Sequence, residues 1–187
     1  MKILERFESS TTQKNFSSTK ELYSYAKSKI IAYAKKHNKE YGIIADTKNN
    51  IVLYEKPGTR DSVNFSDFKF PENNSNIVLM HVHPTKKASP LSVFDCFMLC
   101  SLNFEKIIAF NKKGNFSLLQ KKQNSDSKKA QLFFKYNIIL QENPFLPKSP
   151  LKRWLAVNIG NGIKYYEKWI KYFLEQPNIN FRYKSTM

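Results

Sequence analysis

The sequence predicts an α/β fold: a mixed, curved sheet flanked by helices, with a helical extension at the C-terminus. Three observations carry this expectation. After Ser18, apolar residues recur at helical spacing through Leu22, Tyr25, Ala26, Ile30, Tyr33 and Ala34, which marks an amphipathic helix. Further along, short apolar runs bounded by turn residues read as strands, and they alternate with a second helical segment. The composition is that of a folded globule, 41% hydrophobic and 14% aromatic, and 187 residues suffice for a core without disulfide or metal staples.

Taken in order, residues 1–17 are polar and rich in Ser and Thr, and read as a loose lead-in. Ser18-Thr19-Lys20-Glu21 fits a capping box and starts the first helix, which runs to about Lys36. Strands are expected at 41–46 and 51–55, joined by the turn-rich Asp46-Thr47-Lys48-Asn49-Asn50. Pro57-Gly58 marks a turn, a strand is expected at 61–65, and Phe68 to Asn76 reads as loop. The run Ile77-Val78-Leu79-Met80 reads as a buried strand extending to residue 83. A helix opens at Ser92, and strands at 106–110 and 115–120, joined at Lys113-Gly114, close the sheet. Residues 121–128 read as a polar linker, followed by a helix at 127–141 and an amphipathic helix at 150–175 with Gly160 and Gly162 as a kink. The expected organisation is a lead-in over 1–17, a catalytic domain over 18–122 and a helical extension over 123–187.

The chemistry concentrates between His81 and Asp95. Alternate residues of a strand face the same side, so His81 and His83 are expected to project together from the strand's end. Pro84 has no N–H for the ladder and stops the strand there. Ser92 takes an N-cap position, and Asp95 falls in the first turn of the helix that follows. Two neutral imidazoles and one carboxylate form a three-ligand zinc set, which leaves the fourth tetrahedral position for water or substrate.

This run resembles the signature of the JAB/MPN (JAMM) metalloprotease superfamily: His-x-His-Pro at a strand end, a loop, then Ser-x-x-Asp opening a helix, with a Glu on an earlier strand. The resemblance covers roughly residues 20 to 120. It implies a JAB/MPN fold with cytidine deaminase-like layering, zinc held by His81, His83 and Asp95, and Ser92 stabilising the tetrahedral oxyanion. It also implies a glutamate that activates the attacking water. Glu40, which opens the strand-like Glu40-Tyr41-Gly42-Ile43-Ile44-Ala45 segment, is the first candidate, and Glu55 is the alternative. The loop between Pro84 and Ser92 is one residue longer than is usual in the family. The Gly58 turn and the Asn111-Lys112-Lys113-Gly114 hairpin are closer to prokaryotic and phage-associated JAB domains than to eukaryotic deubiquitinases. The resemblance therefore implies zinc-dependent hydrolysis of a peptide or isopeptide bond. The substrate would be a protein, with a ubiquitin-like conjugate or a protein tail as the form expected. An extended tail would add to the sheet along 77–83 by strand pairing.

The same residues also have simpler explanations. Ser-x-x-Asp is a capping box variant on its own, with Asp95 complementing the helix dipole. A non-catalytic module of the same fold is one alternative, although intact His81, His83, Ser92 and Asp95 argue against it. The other is a nucleic-acid-associated protein, because 31 basic against 15 acidic residues give a formal net charge of +16. The lysines are spread along the chain without a nucleic-acid motif, so any such binding is expected to be weak, unselective and salt-sensitive. His37 sits in the basic end of the first helix and reads as solvated. Cys96 and Cys100 lie a helical turn apart and read as buried thiols in a reducing compartment. The sequence shows no transmembrane-length apolar stretch and no signal-like segment after Met1, and the expected location is cytoplasmic.

Overall fold

Alternation in one central strand sets the architecture. All residues of β4 (Ile77–Val82) are buried, and they divide between two cores. Ile77 and Leu79 pack into one cluster, and Val78, Met80 and Val82 into the other. A strand buried on both faces must lie inside a sheet covered on both sides. The computed structural model, which describes residues 13–71, 73–84, 91–122, 168, 171–175 and 181–186, has that layout.

β4 pairs antiparallel with β2 (Tyr41–Asp46) and parallel with β5 (Lys106–Phe110). Beyond β2 lie β3 (Ile51–Pro57) and the short β1 (Lys14–Asn15). Beyond β5 lie β6 (Phe116–Lys121) and β7 (Phe181–Ser185), so the sheet is mixed, in the order β1-β3-β2-β4-β5-β6-β7. One face carries α1 (Thr19–His37), whose Leu22, Ala26, Ile30 and Ala34 form a buried row. The other carries α2 (Val93–Ser101), which contributes Cys96, Leu99 and Cys100 to the opposite core, where Phe104, Phe173 and Phe181 join them. Each fully buried Leu, Ile or Phe in these layers contributes about 1.5–3 kcal/mol relative to an exposed one. No helix among the described residues is long and apolar enough to cross a membrane.

Local signals account for the element ends. Ser18 caps α1 by accepting from the Glu21 N–H, but the Glu21 carboxylate bonds the Ser17 N–H and hydroxyl, so the reciprocal half of the box moves one residue upstream. Asn38 ends the helix in the left-handed region, which Asn tolerates well. His37 is exposed and stacks on Tyr33. Gly114 has φ 85 and closes the tight β5–β6 turn after Asn111.

Three expectations need correction. Residues 61–65 form no strand. Thr59 and Ser62 close a turn through the Thr59 N–H and hydroxyl, and Phe65 leaves the edge to cover Gly42. Strand pairing of a substrate tail along β4 is impossible, because β2 and β5 occupy both of its edges. The C-terminal region also contributes β7, where buried Phe181 and half-buried Tyr183 alternate with exposed Arg182 and Lys184. That period of two was legible in the sequence. The linker over 121–128 lies, from 123 on, outside the described residues. So do the helix at 127–141, most of the helix at 150–175 with Gly160 and Gly162, and residues 85–90.

Gly42 has a specific task. A Cβ built there would sit 2.2 Å from Phe65 Cζ, on the strand position paired with His81. Gly42→Ala is expected to displace that ring and destabilise the fold by about 1–3 kcal/mol, the usual range for overpacking. Urea denaturation measures this, and an unchanged midpoint would mean that the Phe65 ring moves aside at no cost.

Candidate metal centre

His81 continues the Ile77-Leu79 alternation and therefore faces the α2 side of the sheet, at the last turn of strand before β4 ends. His83 lies just beyond, tied to β5 by its N–H donating to Phe110 O at 2.8 Å. A one-residue slip would send both rings to the α1 face. The buried residues on both sides of β4 forbid that slip.

α2 presents the third group. Its N-terminus is a reciprocal capping box: Asp95 N–H donates to Ser92 Oγ at 3.1 Å, and the Ser92 N–H donates to Asp95 Oδ2 at 2.8 Å. The Ser92 hydroxyl also donates to Oδ2, at 2.8 Å. Oδ2 is thus fully engaged with the cap, and Oδ1 is left facing His81 Nε2 at 3.4 Å. The hydroxyl has one proton, and in this arrangement it points at Asp95, so Ser92 acts here by orienting the carboxylate.

His81 Nε2, His83 Nε2 and the Asp95 carboxylate converge, with their ligand atoms all within 4.8 Å of one another. His81 Nε2 lies 2.9 Å from His83 Nε2 and 3.4 Å from Asp95 Oδ1. One nitrogen carrying a single proton or a single lone pair cannot serve both neighbours with good geometry. A cation between the three atoms serves all of them. Zinc with bonds of about 2.0–2.1 Å in a tetrahedron needs donors about 3.3 Å apart, which the two spacings at His81 Nε2 approach. The far nitrogen, His81 Nδ1, is buried and has no hydrogen-bond partner among the described residues, whereas a ligating imidazole ordinarily donates from it. The donor set fits zinc, and the support behind His81 does not come from the described side chains.

Glu40 completes the group. It is buried, with Oε1 4.0 Å from His83 Nε2. Its backbone is clamped at the start of β2: Glu40 N–H donates to Thr59 O at 2.7 Å, and Gly58 N–H donates to Glu40 O at 2.9 Å. Glu55 lies elsewhere. Its carboxylate pairs with Lys29 and accepts from the Tyr25 hydroxyl, both on α1, so it sits on the opposite face of the sheet. The Gly58–Thr59 clamp is the part of the site that motif reasoning missed. Its signal was the Pro57-Gly58 turn, since a Cβ on Gly58 would meet Ser62 O at 2.3 Å.

The charges act on one another. Burial pushes the Glu40 carboxyl up to about 7, helped by Asp95 and Asp61 and opposed by His81. Burial depresses His83 to about 4, with His81 beside it acting in the same direction. Burial works against the charged form of His81, but the Asp95 and Glu40 carboxylates outweigh it and the net shift is upward. Asp95 is held well below the usual carboxylate range: burial opposes its charge, and His81, His83 and the Ser92 N–H more than offset this. Burial also raises both thiols, Cys100 to about 12, so neither offers a thiolate to this site.

Glu40 makes stability depend on pH. Its carboxyl has a higher pKa in the fold than its ordinary 4.5, so the protonated form is favoured on folding. Its stabilising contribution is complete below about 4.5 and is lost as pH rises through about 7. Metal-free protein is expected to lose on the order of 1–3 kcal/mol between those limits from this group. Glu40→Gln should remove that slope in denaturant titrations at several pH values, and an identical slope in the variant would assign it to another group.

Comparison with known proteins returns no matching family model, no matching curated protein and no matching solved structure.

Proposed function

We propose that this chain is a zinc-dependent hydrolase of amide bonds, of the JAB/MPN (JAMM) type. The observation that carries the reading is the convergence of His81, His83 and Asp95, with buried Glu40 at 4.0 Å from His83. Zinc held there would supply Lewis-acid polarisation of a carbonyl and acidification of a water to a pKa of roughly 7. Glu40 would take a proton from the attacking water and return it to the leaving amine, a task worth on the order of 10²–10⁴ in rate. Ser92 holds Asp95 in register. As an oxyanion donor it would first turn its hydroxyl away from Oδ2, and the capping N–H of Ser92 would keep the carboxylate in place meanwhile.

The exposure of the group supports a slender substrate. The side chains of His81 and Glu40 are 4% and 7% exposed and that of Asp95 14%, whereas His83 reaches 22%. Access is therefore from the His83 side, and an extended chain end fits such an opening better than a folded segment. A lysine leaving group would make the enzyme an isopeptidase for a ubiquitin-like conjugate. The net charge of +16 favours acidic protein partners. It supports only weak nucleic-acid binding, with affinity falling steeply between about 50 and 200 mM salt.

The experiment is a panel of ubiquitin-like conjugates, tail-extended folded proteins and unfolded casein, each tested with the zinc-loaded enzyme. Cleavage at an exposed tail or lysine conjugate, abolished by a chelator, is the expected result. Indiscriminate casein digestion with no conjugate cleaved would make it a general peptidase, and no cleavage at all would remove the hydrolase reading.

A further inference from the structure

A single α-helix is about 10–12 Å wide with its side chains, and strands lie about 4.8 Å apart, so one helix covers only two or three strands. On the face opposite the metal group, α1 is the helix that packs among the described residues, and its buried row 22/26/30/34 sits over β2 and β4. The neighbouring row, Tyr23 and Lys27, overhangs β5 and β6. Between that row and the strands lies a groove of about 280 Å³. Its floor is apolar: Ile108 and Phe110 of β5 stand beside their cross-strand neighbours Leu118 and Phe116 of β6. The C-terminal residues Phe173 and Phe181 pack into the other core, on the α2 side, and do not fill it.

The charged side chains that line this groove, Lys27 and Lys106, are both basic. Lys27 is exposed on its wall, Lys106 lines it, and the Lys184 ammonium lies 5.9 Å from the Phe116 ring centroid. The nearby Glu105 carboxylate is already engaged, Oε1 with Lys106 and Oε2 with the Thr47 hydroxyl. Tyr23 lines the groove too, its buried hydroxyl beside the Lys106 ammonium, and no acceptor among the described residues takes the hydroxyl's own proton. A bound carboxylate would accept from it. A small, mostly apolar cavity with a few convergent polar groups is the usual form of a small-molecule site.

We propose that the groove between α1 and β5–β6 binds a small apolar carboxylic acid, its chain or ring on Ile108, Phe110, Phe116 and Leu118 and its carboxylate among Tyr23, Lys27 and Lys106. The site is separate from the metal group, on the other face of the sheet, and does not depend on the hydrolase reading. Decanoate is the probe, titrated into the full chain by calorimetry while backbone amide shifts are followed. Decanoate is expected to move the amides of β5 and β6, and decyltrimethylammonium to bind at least about 10-fold more weakly. Lys27→Gln, an exposed change on a helix, should weaken decanoate about 3- to 10-fold, and Lys27→Arg should restore it. Leu118→Trp, which fills the groove, should abolish binding with the zinc content unchanged. Equal binding of the decyl cation, shifts clustered away from β5 and β6, or tight binding to Leu118→Trp would each overturn the proposal. So would groove signals that change on dilution alone, which would mean that a second copy of the chain occupies the surface.

Discussion

Protein purified without a histidine tag is expected to hold about one zinc ion per chain, and His81→Ala/His83→Ala to hold none. The arrangement makes the effect large. Each imidazole would supply one of the three donors that the described residues bring together, and removing two leaves Asp95 as a single carboxylate, a site that retains no useful affinity. The double variant also tests the fit argument. If His81 and His83 were only a hydrogen-bonded pair, their removal would cost packing and one contact at 2.9 Å and leave metal content at background in both proteins. Elemental analysis of the two, with Cys96→Ser/Cys100→Ser as a control that should keep its zinc, decides between these accounts. Equal zinc in wild type and the double variant would remove the site.

The grouping of His81, His83 and Asp95 was legible in the sequence because each part of it is a local pattern. Period two in a strand places His81 and His83 on one side, and Ser-x-x-Asp places a carboxylate in a helix's first turn. What local patterns could not give is the distance between them. That is fixed by the long-range pairing of β4 with β2 and β5 and by the α2 packing that buries Cys96 and Leu99. The 61–65 segment failed for a related reason. Val63 and Phe65 alternate with polar residues as a strand would, but Phe65 finds its burial over Gly42 and needs no ladder partner. The tail-pairing expectation failed because a sequence shows that a strand is buried without showing that both its edges are taken. β7 reads clearly once seen, yet its partner β6 lies far back in the chain, and only the sheet reveals that Phe181 returns to the core on the α2 side.

The choice between Glu40 and Glu55 shows the same limit, and it leads to the second large effect. Both open or occupy strand-like segments, and only the place of Glu40 just after a helix favours it in the sequence. The sheet separates them: Glu55 lies with Lys29 and Tyr25 under α1, while Glu40 lies by His83 with its carboxyl pushed up to about 7. Glu40→Gln keeps the shape and can still accept through its carbonyl oxygen, so zinc content and fold should persist. It cannot take a proton, so hydrolysis should fall about 10²–10⁴-fold, in kcat and kcat/KM alike, as for a group that acts in the transition state. Glu55→Gln loses one partly buried ion pair on the α1 face and should turn over like wild type. The comparison separates two ways of being wrong. An active Glu40→Gln with a dead, fully folded Glu55→Gln would place the base on the α1 face, away from His81, His83 and Asp95, and the geometry leaves no route for that. Two active variants would mean that proton transfer uses solvent or another group, and the buried carboxyl at His83 would then be structural. Loss of zinc in Glu40→Gln would make Glu40 a fourth donor, and the position left open for substrate would have to be found elsewhere.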